Sequence, residues 1–332
     1  MDISPISLQI YVRNKCGQLV LKPSYRKGAF DSHAVDCPFV FRHDGKYYMT
    51  CVGWDGIGYR TGMAVSDDLV SWEKIGMIID RGPSGSYTEY NIAMTSIIRD
   101  NDLYGSGEVR KINGKYIGTY HTYPGEGYEV GPGMIGICYS DDLINWTVED
   151  PVLFPEKRYA WEAGGLYKSW IMEHEGVFYL FYNAKNITEG DWKEQIGFAY
   201  SNDLRTWTKY PLNPVISTGD IRSFDGRFAS DPCVFNHDGY WLLFYFGLSY
   251  DGHARDSMAY SSDFLTWYKT NEVLIDVGPE GSIDSKYAHK PSLIAKGRTL
   301  YHFYCAVSKS KEKYVGEIET DEIRGITYAT SE

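Results

Sequence analysis

The amino-acid sequence predicts an all-β chain, a single five-bladed β-propeller with four antiparallel strands per blade, and three observations carry that expectation. A seven-residue unit, Ser-x-Asp-[Leu/Phe]-x-x-Trp, recurs from Ser66, Ser140, Ser201 and Ser261, with a decayed copy, T-D-E-I-R-G-I, from Thr320. Upstream of each copy stands a tight-turn signal: H-D-G-K at His43, I-N-G-K at Ile112, H-E-G-V at His174, H-D-G-Y at His237 and A-K-G-R at Ala295. Tyr, Phe and Trp make up 16% of the chain, an excess that favours strands over helices. A unit of about 50 to 65 residues that cannot bury its own apolar face, repeated five times, points to sheets stacked around an axis.

Each blade follows one order. An apolar first strand leads into the turn, where Asn-Gly or Asp-Gly supplies the positive φ of a two-residue hairpin. An aromatic second strand follows, as in K-Y-Y-M-T-C-V or Y-W-L-L-F-Y-F, and a third, such as T-G-M-A-V-S, ends on the Ser-x-Asp unit. The chain after the Trp supplies the fourth. The blades are expected over about 32–85, 86–150, 155–216, 224–280 and 285–332, with 1–31 as an N-terminal extension that adds a strand or covers the open edge between the last blade and the first. The repeated Trp and Asp read as scaffold, packing between blades and bracing a turn.

Composition narrows the partners. A formal charge of -11 opposes a phosphate backbone, so nucleic acid is not an expected partner. No basic start with an apolar leader and no membrane-length apolar run occurs, which makes a cytoplasmic protein without a membrane partner the expectation. Cys16, Cys37, Cys51, Cys138, Cys233 and Cys305 are dispersed, without the spacing of a metal site, and are expected as reduced thiols. Neither a metal nor a cofactor is called for, and the sequence leaves the oligomeric state open.

In a propeller the starts of first strands and the ends of second strands share one rim. Asp36, Glu108 and Glu162 are expected at the entries of the first three blades, although they stand 9, 6 and 14 residues before their turn glycines. Carboxyl groups converging in an aromatic pocket are what glycosidic cleavage needs: one protonated to serve the leaving oxygen, one ionised to activate water or attack. Trp54, His121, Trp161, Asn183, Lys185, Asp231 and His289 fall on the same rim as candidates for contacting sugar. The bland alternative is that such acids cap turns.

These residues resemble the five-bladed propeller glycosidases, closest to glycoside hydrolase family 43, with families 32, 62 and 68 as relatives; the resemblance covers roughly 30–330. It implies that Asp36 in D-C-P-F-V is the general base, Glu108 in S-G-E-V tunes the acid, and Glu162 in W-E-A-G-G is the general acid. All three depart from the family pattern: Cys37 separates Asp36 from Pro38, Glu replaces Asp in blade 2, and blade 3 lacks its proline. In the family a blade 5 histidine sits near the axis and holds water or a calcium ion, which makes His289 in A-H-K-P-S the similar position and a structural calcium an open option.

Aligned on the turn glycines, F-D-S-H-A-V-D-C-P matches F-D-G-R-F-A-S-D-P, setting Asp36 against Ser230 and Asp231 against Cys37. A one-residue offset turns a strand side chain to the other face, so Asp36 and Asp231 are expected to do different work. Asp231 is open to two roles, binding a sugar hydroxyl or bracing the turn. His33 and Arg227, at equivalent places, are further rim candidates. The expected function is an inverting hydrolase of a terminal glycosidic bond, arabinofuranosidase- or xylosidase-like, on an oligosaccharide. The alternatives are a retaining fructofuranosidase-like enzyme, a glycoside phosphorylase and a non-catalytic sugar-binding propeller.

Overall fold

The computed structural model describes residues 10–188, 190 and 192–332; the first nine residues of the expected extension lie outside that range. Strands dominate, and the described residues hold no α-helix, only a 3-10 turn at Ala160–Glu162. None of them is therefore in a helix long and apolar enough to cross a membrane.

After the short β1 (Asn14–Lys15), the strands pair in antiparallel sets. The first is β2 (Ala34–His43), β3 (Lys46–Trp54), β4 (Tyr59–Ser66) and β5 (Glu73–Ile79). The second is β6 (Ala93–Ile97), β7 (Tyr116–Thr122), β8 (Met134–Ser140) and β9 (Trp146–Leu153). The third is β10 (Leu166–His174), β11 (Val177–Asn186), β12 (Lys193–Ser201) and the short β13 (Thr208–Lys209). The fourth is β14 (Phe228–His237), β15 (Tyr240–Leu248), β16 (Ala254–Ser261) and β17 (Tyr268–Ile275). The last runs β18 (Tyr287–Lys296), β19 (Thr299–Lys309), then, past a small hairpin of β20 (Tyr314–Val315) and β21 (Ile318–Glu319), β22 (Glu322–Thr330). Its outer strand is β1, with Asn14 opposite Thr330 and Lys15 opposite Ala329. Parallel bridges, Glu194 to Phe228 and Ala254 to Tyr287, join the third strand of one set to the first strand of the next.

This corrects the reading of T-D-E-I-R-G-I as a fifth copy of the unit. Ile326 lies inside β22, opposite Cys305, so the segment enters a third strand instead of leaving one. The last set needs no such unit because the N-terminus, not the chain after a Trp, supplies its outer strand.

The four full copies do one structural job. Asp68 Oδ1 accepts the N–H groups of Val70 (2.8 Å) and Ser71 (2.7 Å), Ser66 Oγ accepts that of Leu69 (2.9 Å), and the Trp72 indole donates to the Leu69 carbonyl (3.1 Å). The same bonds recur around Asp142 and Asp203, and the carboxylate and indole bonds recur around Asp263. They hold Leu69, Leu143, Leu204 and Phe264 at φ of 71, 67, 65 and 68°, where the Cβ crowds a carbonyl oxygen at a cost that the surrounding bonds offset. The Trp rings pack across sets: Trp72 meets Phe303 edge-on at 5.6 Å and Trp267 meets Phe181 at 5.8 Å. Asp44–Gly45, Asn113–Gly114, Glu175–Gly176 and Asp238–Gly239 all have positive φ, as two-residue hairpins require.

First strands meet at the centre, where Arg99 plugs one end. Its guanidinium donates to the carbonyls of Val40 and, at 2.6 Å, Leu293, and lies 5.7, 5.5 and 5.0 Å from the rings of Phe39, Trp170 and Phe235. Burial among these rings lowers its pKa to about 10. The other end of the same strands opens into a cavity.

Candidate active site

Every first strand breaks its ladder at one point. The register shifts between Asp36 and Phe39, Met94 and Ser96, Tyr167 and Ser169, Ser230 and Cys233, and His289 and Ser292. The residues pushed out of the ladder are Cys37–Pro38, Thr95, Lys168, Asp231–Pro232 and Lys290–Pro291. In three of these bulges a left-handed residue precedes proline, Cys37 at φ 48°, Asp231 at 59° and Lys290 at 67°. Such conformations cost about 1–3 kcal/mol each and persist only where the surroundings enforce them. Proline suits the place because a bulge needs no ladder donor. Each bulge re-aims a side chain, and Cys37, Lys168, Asp231 and Lys290 all line the cavity. The expected offset of Asp36 from Asp231 is thus real: Asp36 is the last residue in register, Asp231 the first out of it.

The cavity is partly open to solvent and leaves about 140 Å³ for the centres of water-sized molecules. Tyr59, Tyr123, Tyr128, Tyr167 and Trp192 form its aromatic wall, and four carboxylates reach it: Asp36, Glu129, Glu194 and Asp231. Asp36 Oδ1 accepts the N–H of Cys37 at 2.8 Å, while Oδ2 receives Lys290 at 2.8 Å and Arg324 at 3.0 Å. Burial by itself would raise this carboxyl; Lys290 and Arg324 outweigh it and hold Asp36 well below the usual carboxylate range.

Glu194 sits in the opposite field. Burial, the nearby Glu129 charge and, more weakly, Asp231 raise it to about 7, against the lowering effect of Lys185 and Ser230. Its oxygens meet the Trp192 indole (3.0 Å), the Asn183 amide (3.0 Å) and Ser230 Oγ (2.6 Å). Ser230 Oγ also lies 3.0 Å from Asp231 Oδ1. One hydroxyl hydrogen serves only one of two carboxylates, so a proton on Glu194 completes both contacts. The two histidines at the cavity are neutral: burial drives His121 down to about 3 and His289 well below its ordinary value.

Of the sequence candidates, Asp36, His121, Asn183, Asp231 and His289 line this cavity. Lys185 stands just behind the wall, 3.3 Å from Glu129 and 3.3 Å from the centre of the Trp192 ring. Trp54 packs behind Tyr59 and Tyr128 at 5.3 and 6.0 Å. Arg227 reaches the Trp192 carbonyl (3.3 Å) from beneath the wall, and His33 is held by Ser32 Oγ at 2.9 Å. Neither forms part of the wall itself.

The expected convergence of three acids does not occur. Glu108 lies in an excursion between β6 and β7, pairs with Arg42 near the hairpin of β2, and has 40% of its side chain exposed beside His43. Six residues of strand, about 20 Å, separate that point from Asp36. Glu162 is fully buried on the outer side of the third set, where Lys209 from β13 (2.6 Å) and the Glu156 N–H (3.0 Å) bind it; Trp161 stacks on Tyr182 there. Burial raises Glu162, with Lys209 acting against it. The expectation failed in these two sets because extra residues stand between first strand and turn in one and before the first strand in the other.

Glu129, Glu194, Lys168, Lys290 and Arg324 were missed. A-H-K-P-S carried a signal, since it matches D-C-P and S-D-P; the others sit in segments without a repeat. Asp36, His289 and Cys305 lie close enough to share an ion. They do not fit calcium, which takes six to eight oxygens, because His289 Nδ1 is bound to the Cys305 carbonyl at 3.0 Å and the Cys305 thiol is held protonated by burial. The cysteines are unpaired, and all but Cys16 are buried.

Known proteins carry the same architecture. The solved BT0996 RGII complex superposes with a TM-score of 0.81 at 28% identity, over 97% of this chain and 92% of that one. A 1,2-beta-oligomannan phosphorylase of Thermoanaerobacter sp. (strain X514) is 30% identical over 155 residues, 45% of this chain; the match spans only 43% of that enzyme. A beta-xylosidase of Xylanibacter ruminicola is 27% identical over 187 residues, half of each chain. The family model of the glycosyl hydrolases family 32 N-terminal domain, a β-propeller, matches residues 106–283, more than half of the 332 residues. Bulged first strands around one acidic cavity and this match agree: the chain belongs to the glycosyl hydrolases family 32 N-terminal domain family.

Proposed function

We propose that the chain is a five-bladed propeller glycoside hydrolase that cleaves a terminal glycosidic bond in the axial cavity, with Glu194 as general acid and Asp36 as the ionised partner. One observation carries this reading: two carboxyl groups line one aromatic cavity, one held well below its ordinary range and the other raised to about 7. Environments that push two acids apart assign acid and base roles. Glu194 delivers its proton to the leaving oxygen, and Ser230 and Asn183 orient it. Asp36 keeps its charge under Lys290 and Arg324, so it is ready to accept a proton from water or to attack the anomeric carbon. The tyrosines and Trp192 offer flat faces for the sugar ring.

This keeps Asp36 in the role expected from the sequence and moves the acid from Glu162 to Glu194. The far end of the axis is filled by Arg99 and the rings around it, so the axis is no open channel, and this suits a chain terminus better than the middle of a polymer. The test is a panel of nitrophenyl glycosides (arabinofuranoside, xyloside, galactoside, fructoside type) with Glu194→Gln and Asp36→Asn. The reading requires both variants to fold, Asp36→Asn to lose turnover by about a hundredfold or more on these aryl glycosides, and Glu194→Gln to lose as much on the matching alkyl or sugar leaving groups, which need its proton. Wild-type rates in either would remove that residue from the mechanism.

A further inference from the structure

The cations at the cavity floor are not all accounted for by the reaction. Lys168 and Lys290 occupy equivalent bulges of β10 and β18, on either side of Asp231 in the ring of first strands. Lys290 has Asp36 at 2.8 Å. Lys168 is 3% exposed, and its ammonium makes no hydrogen bond among the described residues. The ion-pair neighbour it has among them, Asp231 Oδ2, stands 3.5 Å away, beyond the 2.7–2.9 Å of a charge-assisted bond, and that oxygen also has no hydrogen-bond partner there.

The surrounding charges leave this ammonium weakly answered. Arg324 is shared between Glu322 (2.9 Å) and Asp36 (3.0 Å), and Lys185 belongs to Glu129. Glu194 carries a proton for part of the time at neutral pH, and Asp256, the next acid toward Lys168, is bound to His302 at 2.9 Å. Both Lys168 and Lys290 bear on the same two neutral groups, Cys37 and His121. Two ammonium groups therefore flank one patch of cavity floor, where Lys290 is bound to Asp36 and Lys168 stands beside Asp231 without closing to a hydrogen bond. A buried ammonium with an ion-pair neighbour at 3.5 Å and no hydrogen bond is costly unless a ligand supplies one.

We propose that Lys168 and Lys290 form an oxyanion seat in the floor of the sugar cavity, filled either by a carboxylate on the substrate or by inorganic phosphate. This rests on the cavity being the sugar site. With a carboxylate, the seat selects acidic sugars for hydrolysis. With phosphate, the anomeric C–O bond breaks, the departing oxygen takes the Glu194 proton, a phosphate oxygen bonds the anomeric carbon, and the proton of hydrogen phosphate returns to Glu194.

Titration calorimetry of the whole chain with inorganic phosphate and with glucuronate, at low ionic strength, tests the seat independently of turnover. Binding of at least one anion is expected, weakened about tenfold to a hundredfold in Lys168→Met and largely restored in Lys168→Arg. Melting curves show whether Lys168→Met is folded; if it is not, competition by sulfate in the wild-type protein supplies the same readout. Release of a sugar phosphate from aryl glycosides identifies phosphate as the occupant. Faster hydrolysis of glucuronides or galacturonides than of their neutral counterparts, with phosphate as competitor, identifies the carboxylate. Absence of anion binding, or equal binding in Lys168→Met, overturns the seat while leaving hydrolysis at Asp36 and Glu194 to stand or fall on its own variants.

Discussion

Replacing Glu194 by Gln should change how stability depends on pH, by an amount that follows from its surroundings. The carboxyl ionises near 7 in the folded chain against 4.5 for the free group. A folded-state value above the unfolded one means the protonated form is favoured by folding. The benefit is complete below about pH 4 and fades between 4.5 and 7; above that window ionisation of the buried group lowers stability by about 3 kcal/mol. Gln keeps the shape and hydrogen bonding of the protonated acid but does not titrate. The difference in unfolding free energy between Glu194→Gln and wild type should therefore shift by about 3 kcal/mol in favour of the variant between pH 4 and pH 8. Urea unfolding at a series of pH values measures it, and any constant effect of the substitution cancels in the comparison. A difference that stays flat across the range would refute the claim that Glu194 is raised by burial and Glu129, and with it the ground for choosing this residue as the acid.

Further outcomes follow from the same structure. In the pH profile of kcat/KM, activity should fall as pH rises through about 7, where Glu194 loses its proton, and should persist on the acid side until well below the usual carboxylate range, where Asp36 gains one; a fall only at high pH would exclude Glu194. Glu108→Gln should leave both stability and turnover close to wild type. Glu162→Gln should keep turnover but cost stability, by about 1–3 kcal/mol, because it removes the charged partner at 2.6 Å and leaves Lys209 with Glu156 at 3.4 Å; loss of turnover at full stability would return Glu162 to the mechanism. Arg99→Met should lower the melting temperature sharply by uncovering the Val40 and Leu293 carbonyls at the axis, a change that thermal unfolding reads directly.

The repeat made the scaffold legible. A Ser, an Asp and a Trp at fixed spacing satisfy one left-handed turn, and that bond set is local, so it is written locally. Asp36 and Asp231 were found because D-C-P and S-D-P sit at a fixed distance before their turns. The second and third sets hid their axial residues: an excursion carrying Arg99 and Glu108 separates β6 from its turn, and Lys168 has no proline beside it. Glu194 is held by Asn183 and Ser230 and raised by the Glu129 charge, 11, 36 and 65 positions away in sequence, and no local pattern announces such a meeting. Glu162 misled because a buried acid beside a Trp has the same look whether its partner is a substrate or Lys209.

The central claim is that Glu194 protonates the leaving group and Asp36 supplies the negative charge at the anomeric centre. The most direct measurement compares aryl glycosides with good and poor leaving groups. Glu194→Gln should retain much of its rate on a dinitrophenyl glycoside, which needs no proton, and lose it on an alkyl or sugar leaving group; Asp36→Asn should lose both. Equal losses of Glu194→Gln on the two substrates, or near-wild-type rates for Asp36→Asn, would contradict the account.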